Sequence, residues 1–152
     1  MRLRTLILAL VLSCPISPTA AAYAAGGLNT SYELECLAKN IYHEARGESK
    51  EGQLAVAYAT INRLGKYGRT ICQVVYKKHA FSWTASPRKR IRNWGTYYKI
   101  LALAKTAYYN KTPDPINGRT HYYAHNSIPP PYWVARAYNV IIIGNHKFML
   151  LT

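Results

Sequence analysis

Two apolar stripes at helical spacing, separated by a short break at Gly47 and Ser49, most constrain how this chain can fold. Apolar residues recur every three or four positions over residues 34–45 and again over residues 54–62, as in helices that bury one face. Gly47 favours a left-handed cap that ends the first helix, and Ser49 favours the N-cap of the second. The pattern therefore predicts an αα-hairpin.

The remaining elements follow from cap and turn signals. Thr30 with Glu33 has the form of a capping box and predicts that the first helix begins there. Thr70 predicts the cap of a short third helix, and residues 95–110 a fourth. Two later segments are rich in β-branched and aromatic residues, 119–124 and 139–151, and the second is divided at Gly144 as by a hairpin turn. We expect an α+β domain with a helical N-terminal part and then a small antiparallel sheet.

The first 24 residues have the three regions of a secretory signal peptide. Arg2 and Arg4 precede an apolar run over residues 5–13, and an alanine-rich stretch allows cleavage after Ala24. We predict that residues 1–24 are removed and that residues 25–152 form a single domain, exported to the periplasm or the extracellular wall. Alternatively, residues 11–14 loosely resemble a lipoprotein cleavage box, which would leave Cys14 as a lipid-modified N-terminus.

Removal of the signal peptide would leave an even pair of cysteines, Cys36 and Cys72, in a chain bound for an oxidising compartment. We therefore predict that they form a disulfide. Two buried free thiols are the alternative.

The chain is strongly cationic, with 20 Lys and Arg residues against 6 Asp and Glu residues and a formal net charge of +14. This charge favours an anionic wall or envelope surface as a partner, and nucleic acid shares the same chemistry. A solvated basic surface without a dedicated partner is the plainer interpretation.

Acidic residues are few enough to compare one by one: Glu33, Glu35, Glu44, Glu48, Glu51 and Asp114. Glu33, Glu35 and Glu51 fall in the first turns of predicted helices, where the helix dipole favours a carboxylate. Glu44 instead lies near the end of the first helix among apolar neighbours, and both features should raise its pKa. A carboxylic acid that stays protonated suits general-acid cleavage of a glycosidic bond, although a nearby Arg or Lys could also simply neutralise it.

Glu48 lies four residues beyond Glu44 and suggests a pair of catalytic carboxylates. Retaining glycosidases place their two carboxyl groups about 5–5.5 Å apart, on either side of the scissile bond. Neighbouring residues at one helix end flank a bond less readily, so we predict that Glu48 is a supporting residue.

Other reaction classes find little support. Gly47 breaks the H-E-x-x-H zinc pattern that begins at His43, and His121 and His125 fall in a predicted strand and turn. The chain also lacks a G-x-S-x-G nucleophile motif and phosphate-binding glycine loops. We expect neither a metal nor any other cofactor.

Residues Glu44-Ala45-Arg46-Gly47-Glu48 form an E-A-R-G-E run. This run matches the hallmark motif of the spore-cortex-lytic SleB/CwlJ-type cell wall hydrolases, and the chain resembles this family. Matching segments then follow in order to the end of the chain: residues 36–48, 52–57, 62–63, 71–76, 81–83, 120–122, Trp133 and residues 143–148.

This resemblance implies a lysozyme-like domain that acts on peptidoglycan glycan strands, with Glu44 as the catalytic acid/base. Lytic transglycosylase chemistry is the implied activity, which yields a 1,6-anhydro sugar and needs one carboxylate. The substrate-binding residues that we predict are Glu48, Phe81, Ser82, Trp83, His121, Tyr122 and Trp133. The aromatic members could instead pack in the core. We expect a monomer without a dedicated nucleic acid partner.

The chain departs from the family pattern at two places near the predicted substrate contacts. Tyr123 stands where the family often has a second histidine, and a stiff run of three prolines covers residues 129–131. The alternatives that remain open are a hydrolytic muramidase, a peptidoglycan amidase, and a noncatalytic module that binds the wall or nucleic acid.

Overall fold

The computed structural model describes the backbone of residues 18–87 and 90–152, and side chains from residue 29 onward. Helix α1 spans Pro18–Ala45. It begins before Thr30, so the predicted capping box is wrong: Thr30 lies inside the helix, because the alanine-rich stretch before it also favours helix. The predicted signal peptide and Cys14 lie largely outside the described residues, and cleavage after Ala24 stays a prediction.

The other helices begin at caps that the sequence marks. Helix α2, Lys50–Ile61, has Ser49 as its N-cap, and the Ser49 hydroxyl accepts a hydrogen bond of 3.2 Å from the Gly52 amide. Helix α3, Ile71–Val75, is capped in the same way by Thr70. Helix α4, Trp94–Tyr108, begins after Asn93, one residue earlier than predicted. Gly47 follows the end of α1 as expected, but it does not have the positive φ of a left-handed cap.

A three-stranded antiparallel sheet completes the domain. Its strands are β1, His121–Ala124, β2, Ala137–Ile143, and β3, His146–Leu151, in the order β1-β3-β2. The predicted hairpin turn at Gly144 and Asn145 joins β2 to β3, and Gly144 has a φ of +55°. Strand β3 pairs with both neighbours, so Phe148 lies opposite Tyr122 of β1 and is fully buried.

The core forms where α1 contacts α2, α3 and α4. Its fully buried side chains include Leu37, Ile41, Val56, Ile100 and Phe148. Cys36 of α1 and Cys72 of α3 form the predicted disulfide. The fold is therefore the expected α+β arrangement, with the C-terminal end of α1 directed toward the sheet.

Within the described part of the chain, no helix has the length and apolar character needed to cross a membrane.

Candidate active site

Glu44 lies in the last turn of α1, half-buried, and faces strand β1. The Tyr122 hydroxyl donates a hydrogen bond of 3.1 Å to Glu44 Oε2. Burial raises the pKa of Glu44, while the hydrogen bond from Tyr122 and the positive charge of Arg63 partly oppose this rise. The net direction is the one predicted from the sequence, and a raised pKa keeps more of the carboxyl group protonated near neutral pH.

Arg63 is the buried cation of this site, with 9% of its surface exposed. Its Nε donates a hydrogen bond of 2.7 Å to the Thr120 carbonyl, and its guanidinium lies 4.7 Å from the centroid of the Phe81 ring. Phe81 is itself only 5% exposed. The Phe81 ring thus packs against Arg63 in the core, and its role in substrate binding stays a prediction.

Trp83 also belongs to the core. Its indole Nε1 donates a hydrogen bond of 2.8 Å to Asn40 Oδ1, and its ring stacks on His43 with centroids 4.4 Å apart. Trp83 is buried, so the structure shows it packed in the core, and its role in substrate binding stays a prediction. Ser82, between the two aromatic residues, is exposed in a 3₁₀ helix, Ser82–Ala85.

Three of the predicted substrate-binding residues, His121, Tyr122 and Trp133, meet along one groove of about 360 Å³. The His121 ring lies 5.7 Å from Trp133 and 5.9 Å from Tyr67, measured between centroids. Burial, and to a lesser extent the charges of Arg63, Lys66 and Arg136, lower the pKa of His121 to about 4. His121 is therefore neutral near pH 7, and its Nδ1 lies 2.9 Å from the Thr120 hydroxyl.

Glu48 is bound to the hairpin turn between β2 and β3. Its carboxylate accepts hydrogen bonds from the Asn145 amide at 3.2 Å and from Asn145 Nδ2 at 3.0 Å, and His146 Nδ1 lies 4.0 Å away. Burial raises the pKa of Glu48, but these donors and His146 lower it by more, so its pKa lies below the ordinary value. The two glutamates of the E-A-R-G-E motif thus differ: the surroundings of Glu44 raise its pKa, and those of Glu48 lower its pKa.

The site also contains residues that the sequence argument did not assign to it. Arg63 was noticed only within the matching segments, and its burial beside Glu44 depends on long-range packing. Tyr67, Lys77, Lys78 and Arg136 line the same groove as His121. In the sequence, Lys77 and Lys78 stand out only as two adjacent lysines that follow α3. Nothing in their spacing predicts that they line the groove.

The described residues contain no group of three or more His, Cys, Asp or Glu side chains placed to hold a metal ion. The arrangement of Glu44, Tyr122 and Arg63 permits proton transfer at the Glu44 carboxyl group.

Within the described residues, four α-helices packed against a small antiparallel sheet have the fold of a lysozyme-like domain. The profile of the cell wall hydrolase family matches residues 47–149, and the chain belongs to this family. The match begins just after Glu44, so it does not itself cover that residue.

The similarity to one relative supports the assignment to this family. The spore cortex-lytic enzyme of Bacillus subtilis (strain 168) is 27% identical over 130 residues, which cover 84% of this chain and 40% of the relative. The chain thus spans well under half of that protein.

Two solved structures have a similar fold. The catalytic domain of the Bacillus cereus SleB protein is 24% identical with a TM-score of 0.62, over 78% of this chain and 89% of that one. The catalytic domain of the germination-specific lytic transglycosylase SleB from Bacillus anthracis is 24% identical with a TM-score of 0.63, over 78% and 93%.

Proposed function

We propose that this protein is a lytic transglycosylase that cleaves the bond between N-acetylmuramic acid and N-acetylglucosamine in peptidoglycan. The observation that carries the proposal is the half-buried Glu44, whose raised pKa suits a general acid and whose carboxyl group is positioned by a hydrogen bond from Tyr122, a residue that lines the groove. Membership of the cell wall hydrolase family and similarity to a cortex-lytic enzyme support peptidoglycan as the substrate.

In the proposed reaction Glu44 first donates its proton to the glycosidic oxygen, and the bond from that oxygen to the anomeric carbon of muramic acid breaks. The resulting carboxylate then accepts the proton of the 6-hydroxyl of the same muramic acid. That oxygen bonds to the anomeric carbon and gives a 1,6-anhydro sugar, while Glu44 is protonated again. The sequence consumes no water and needs a single carboxyl group.

A hydrolytic muramidase with two carboxylates is the second candidate, with Glu48 as the partner of Glu44. The hydrogen bonds from Asn145 favour the one-carboxylate mechanism instead, because they occupy both oxygens of Glu48. Glu48 then keeps the hairpin turn close to the end of α1, which makes it a positioning residue in our proposal.

The sugar ends of the products test the reaction type. Purified peptidoglycan is digested with the protein, and the soluble fragments are analysed by mass spectrometry. We expect 1,6-anhydro-muramoyl ends. Ordinary reducing muramic acid ends would establish hydrolysis instead, and newly freed lactyl carboxyl groups and peptide amino termini would establish an amidase. Binding to the wall without any soluble fragment would leave only the noncatalytic module.

We further propose that the protein acts as a monomer outside the cytoplasm after cleavage near Ala24. The disulfide between Cys36 and Cys72 supports an oxidising compartment, and the net positive charge suits an anionic wall or envelope surface. N-terminal sequencing of the exported protein tests the cleavage site. A lipid-modified Cys14 at the N-terminus would contradict cleavage near Ala24.

A further inference from the structure

We propose that the groove beside Glu44 binds carboxylates that the substrate carries on the lactyl arm of its muramic acid. The inference rests on the proposed function and names the form of peptidoglycan that this site selects: strands whose lactyl arms are anionic, either through the stem peptides or through the free lactyl group.

The charge of the groove is one-sided. Lys77 and Lys78, which follow α3, line one part of it, and Arg136, at the end of the 3₁₀ helix Tyr132–Arg136, lines another. Arg63 contributes a buried positive charge beside Tyr122. No aspartate or glutamate belongs to the described lining of the groove. These cations therefore face a cavity without an acidic partner from the groove's own lining.

The ring of Tyr67, which lines the groove, lies close to two lysine ammonium groups. The Nζ atoms of Lys77 and Lys66 lie 5.1 Å and 5.5 Å from the centroid of the Tyr67 ring. Contacts of this kind attract an ammonium group to the ring face. The positive charges also affect His121. Burial lowers its pKa most, and Arg63, Lys66 and Arg136 contribute smaller effects in the same direction.

The sugars of a glycan strand do not account for this charge. N-acetylglucosamine and the ring of N-acetylmuramic acid are neutral, so hydrogen bonding and stacking suffice for them. In the proposed substrate the negative charges are carboxylates: those of the stem peptide, or that of the lactyl group where the peptide is absent. Because the groove adjoins the Tyr122 side chain that contacts Glu44, a carboxylate bound there would belong to the strand being cleaved.

The test compares binding to uncross-linked strands in three forms: intact, with carboxyl groups converted to amides by carbodiimide and ammonia, and with stem peptides removed by an amidase. Affinity is measured with Glu44→Gln, so that cleavage does not interfere. Exposed ion pairs each contribute modestly, so we expect about tenfold weaker binding to the amidated strands from several pairs together. Higher salt should reduce this difference.

The groove residues are tested by Lys77→Gln, Lys78→Gln and Arg136→Gln combined in the Glu44→Gln background. We expect the combined variant to bind intact strands about tenfold more weakly and amidated strands unchanged. Lys105→Gln combined with Lys111→Gln, in the same background, is a control for charge, since both residues are exposed and neither lines the groove. Circular dichroism confirms that each variant is folded.

The outcomes separate the two proposals. Equal binding to intact and amidated strands, or equal loss in the groove and control variants, would overturn the carboxylate site even if the wild type cleaves peptidoglycan. Absence of cleavage of intact strands by the wild type would overturn the proposed function, whereas the binding comparison would still decide the inference. Binding retained by the peptide-free strands supports the lactyl carboxylate as the ligand, and binding lost with the peptides supports the stem carboxylates.

Discussion

The Tyr122 hydroxyl and the Glu44 carboxylate are joined by a hydrogen bond of 3.1 Å between residues 78 positions apart in the chain. This hydrogen bond connects the end of α1 to strand β1. It also connects Glu44, the proposed acid, to Tyr122, which lines the groove. The ring of Tyr122 is held in turn by Phe148, at 5.4 Å between centroids, and by His146, at 5.3 Å. The position of the acid thus depends on the sheet.

Replacing Glu44 with glutamine should abolish most of the activity, because the amide cannot donate or accept the proton. General acid/base groups contribute about 10²–10⁴-fold, and we expect a loss in kcat in that range. Release of soluble fragments from peptidoglycan measures it. Glu51→Gln, an exposed glutamate in the first turn of α2, is the matched control and should stay active. Wild-type rates in Glu44→Gln would disprove the acid/base assignment.

Tyr122→Phe should shift the pH profile of kcat/KM toward higher pH. The Tyr122 hydroxyl stabilises the ionised form of Glu44 and so lowers its pKa, and its removal raises that pKa further. A general acid acts in its protonated form, so the alkaline limb of the profile should move upward. Tyr138→Phe, on the exposed part of β2, is the control with an unchanged profile. An alkaline limb that moves downward or stays in place would contradict the assignment.

Glu48→Gln should destabilise the protein at neutral pH, because it weakens the two hydrogen bonds with Asn145. Hydrogen bonds to charged groups contribute about 1.5–3 kcal/mol, so we expect a fall of about 1–2 kcal/mol in the free energy of unfolding. The pKa of Glu48 is lowered in the folded state, so its stabilisation is present above the ordinary value of 4.5 and is lost as the pH falls through the folded pKa.

Denaturant unfolding at several pH values measures the difference in the free energy of unfolding between wild type and Glu48→Gln. This difference should become smaller in acid. Glu51→Gln serves again as the control. A difference between wild type and Glu48→Gln that is independent of pH would show that the ionised carboxylate is not what holds the turn.

Gly144→Ala should destabilise the protein more than Gly118→Ala. Both glycines have positive φ, +55° and +77°, which strains an alanine at either position. Only at Gly144 would the added methyl group also overlap the Glu48 carboxylate, whereas open space surrounds the position at Gly118. Thermal unfolding compares the two variants. Equal losses would mean that the close approach of Glu48 to the turn does not matter for stability.

Loss of the disulfide should lower the free energy of unfolding by about 4 kcal/mol on the chain-entropy model, since Cys36 and Cys72 are 36 residues apart. Denaturant unfolding of the oxidised protein and of Cys36→Ala combined with Cys72→Ala measures the change. Added reductant should lower the free energy of unfolding of the wild type to a value near that of the double variant. The stability of the double variant should not change. Sensitivity of the double variant to reductant would contradict this explanation.

Local signals accounted for most of the elements. Ser49 and Thr70 mark helix starts because their hydroxyls accept backbone hydrogen bonds within three residues, and the turn at Gly144 follows from a single residue's tolerance of positive φ. Thr30 was misleading, since its capping signal competes with the helix-forming residues before it and loses. Helix caps and turns can be predicted from the sequence where no second local signal opposes them.

The surroundings of Glu44 depended on contacts that the sequence does not display. The sequence by itself determined the place of Glu44, the proposed acid, at the end of α1 and the pair of cysteines, since these follow from residue type and helical spacing. Only the tertiary structure decided that Tyr122 and Arg63 adjust Glu44, that Asn145 engages Glu48, and that Phe81 and Trp83 lie in the core. These relationships join residues tens of positions apart, and packing of the helices against the sheet, not local spacing, sets which side chains meet.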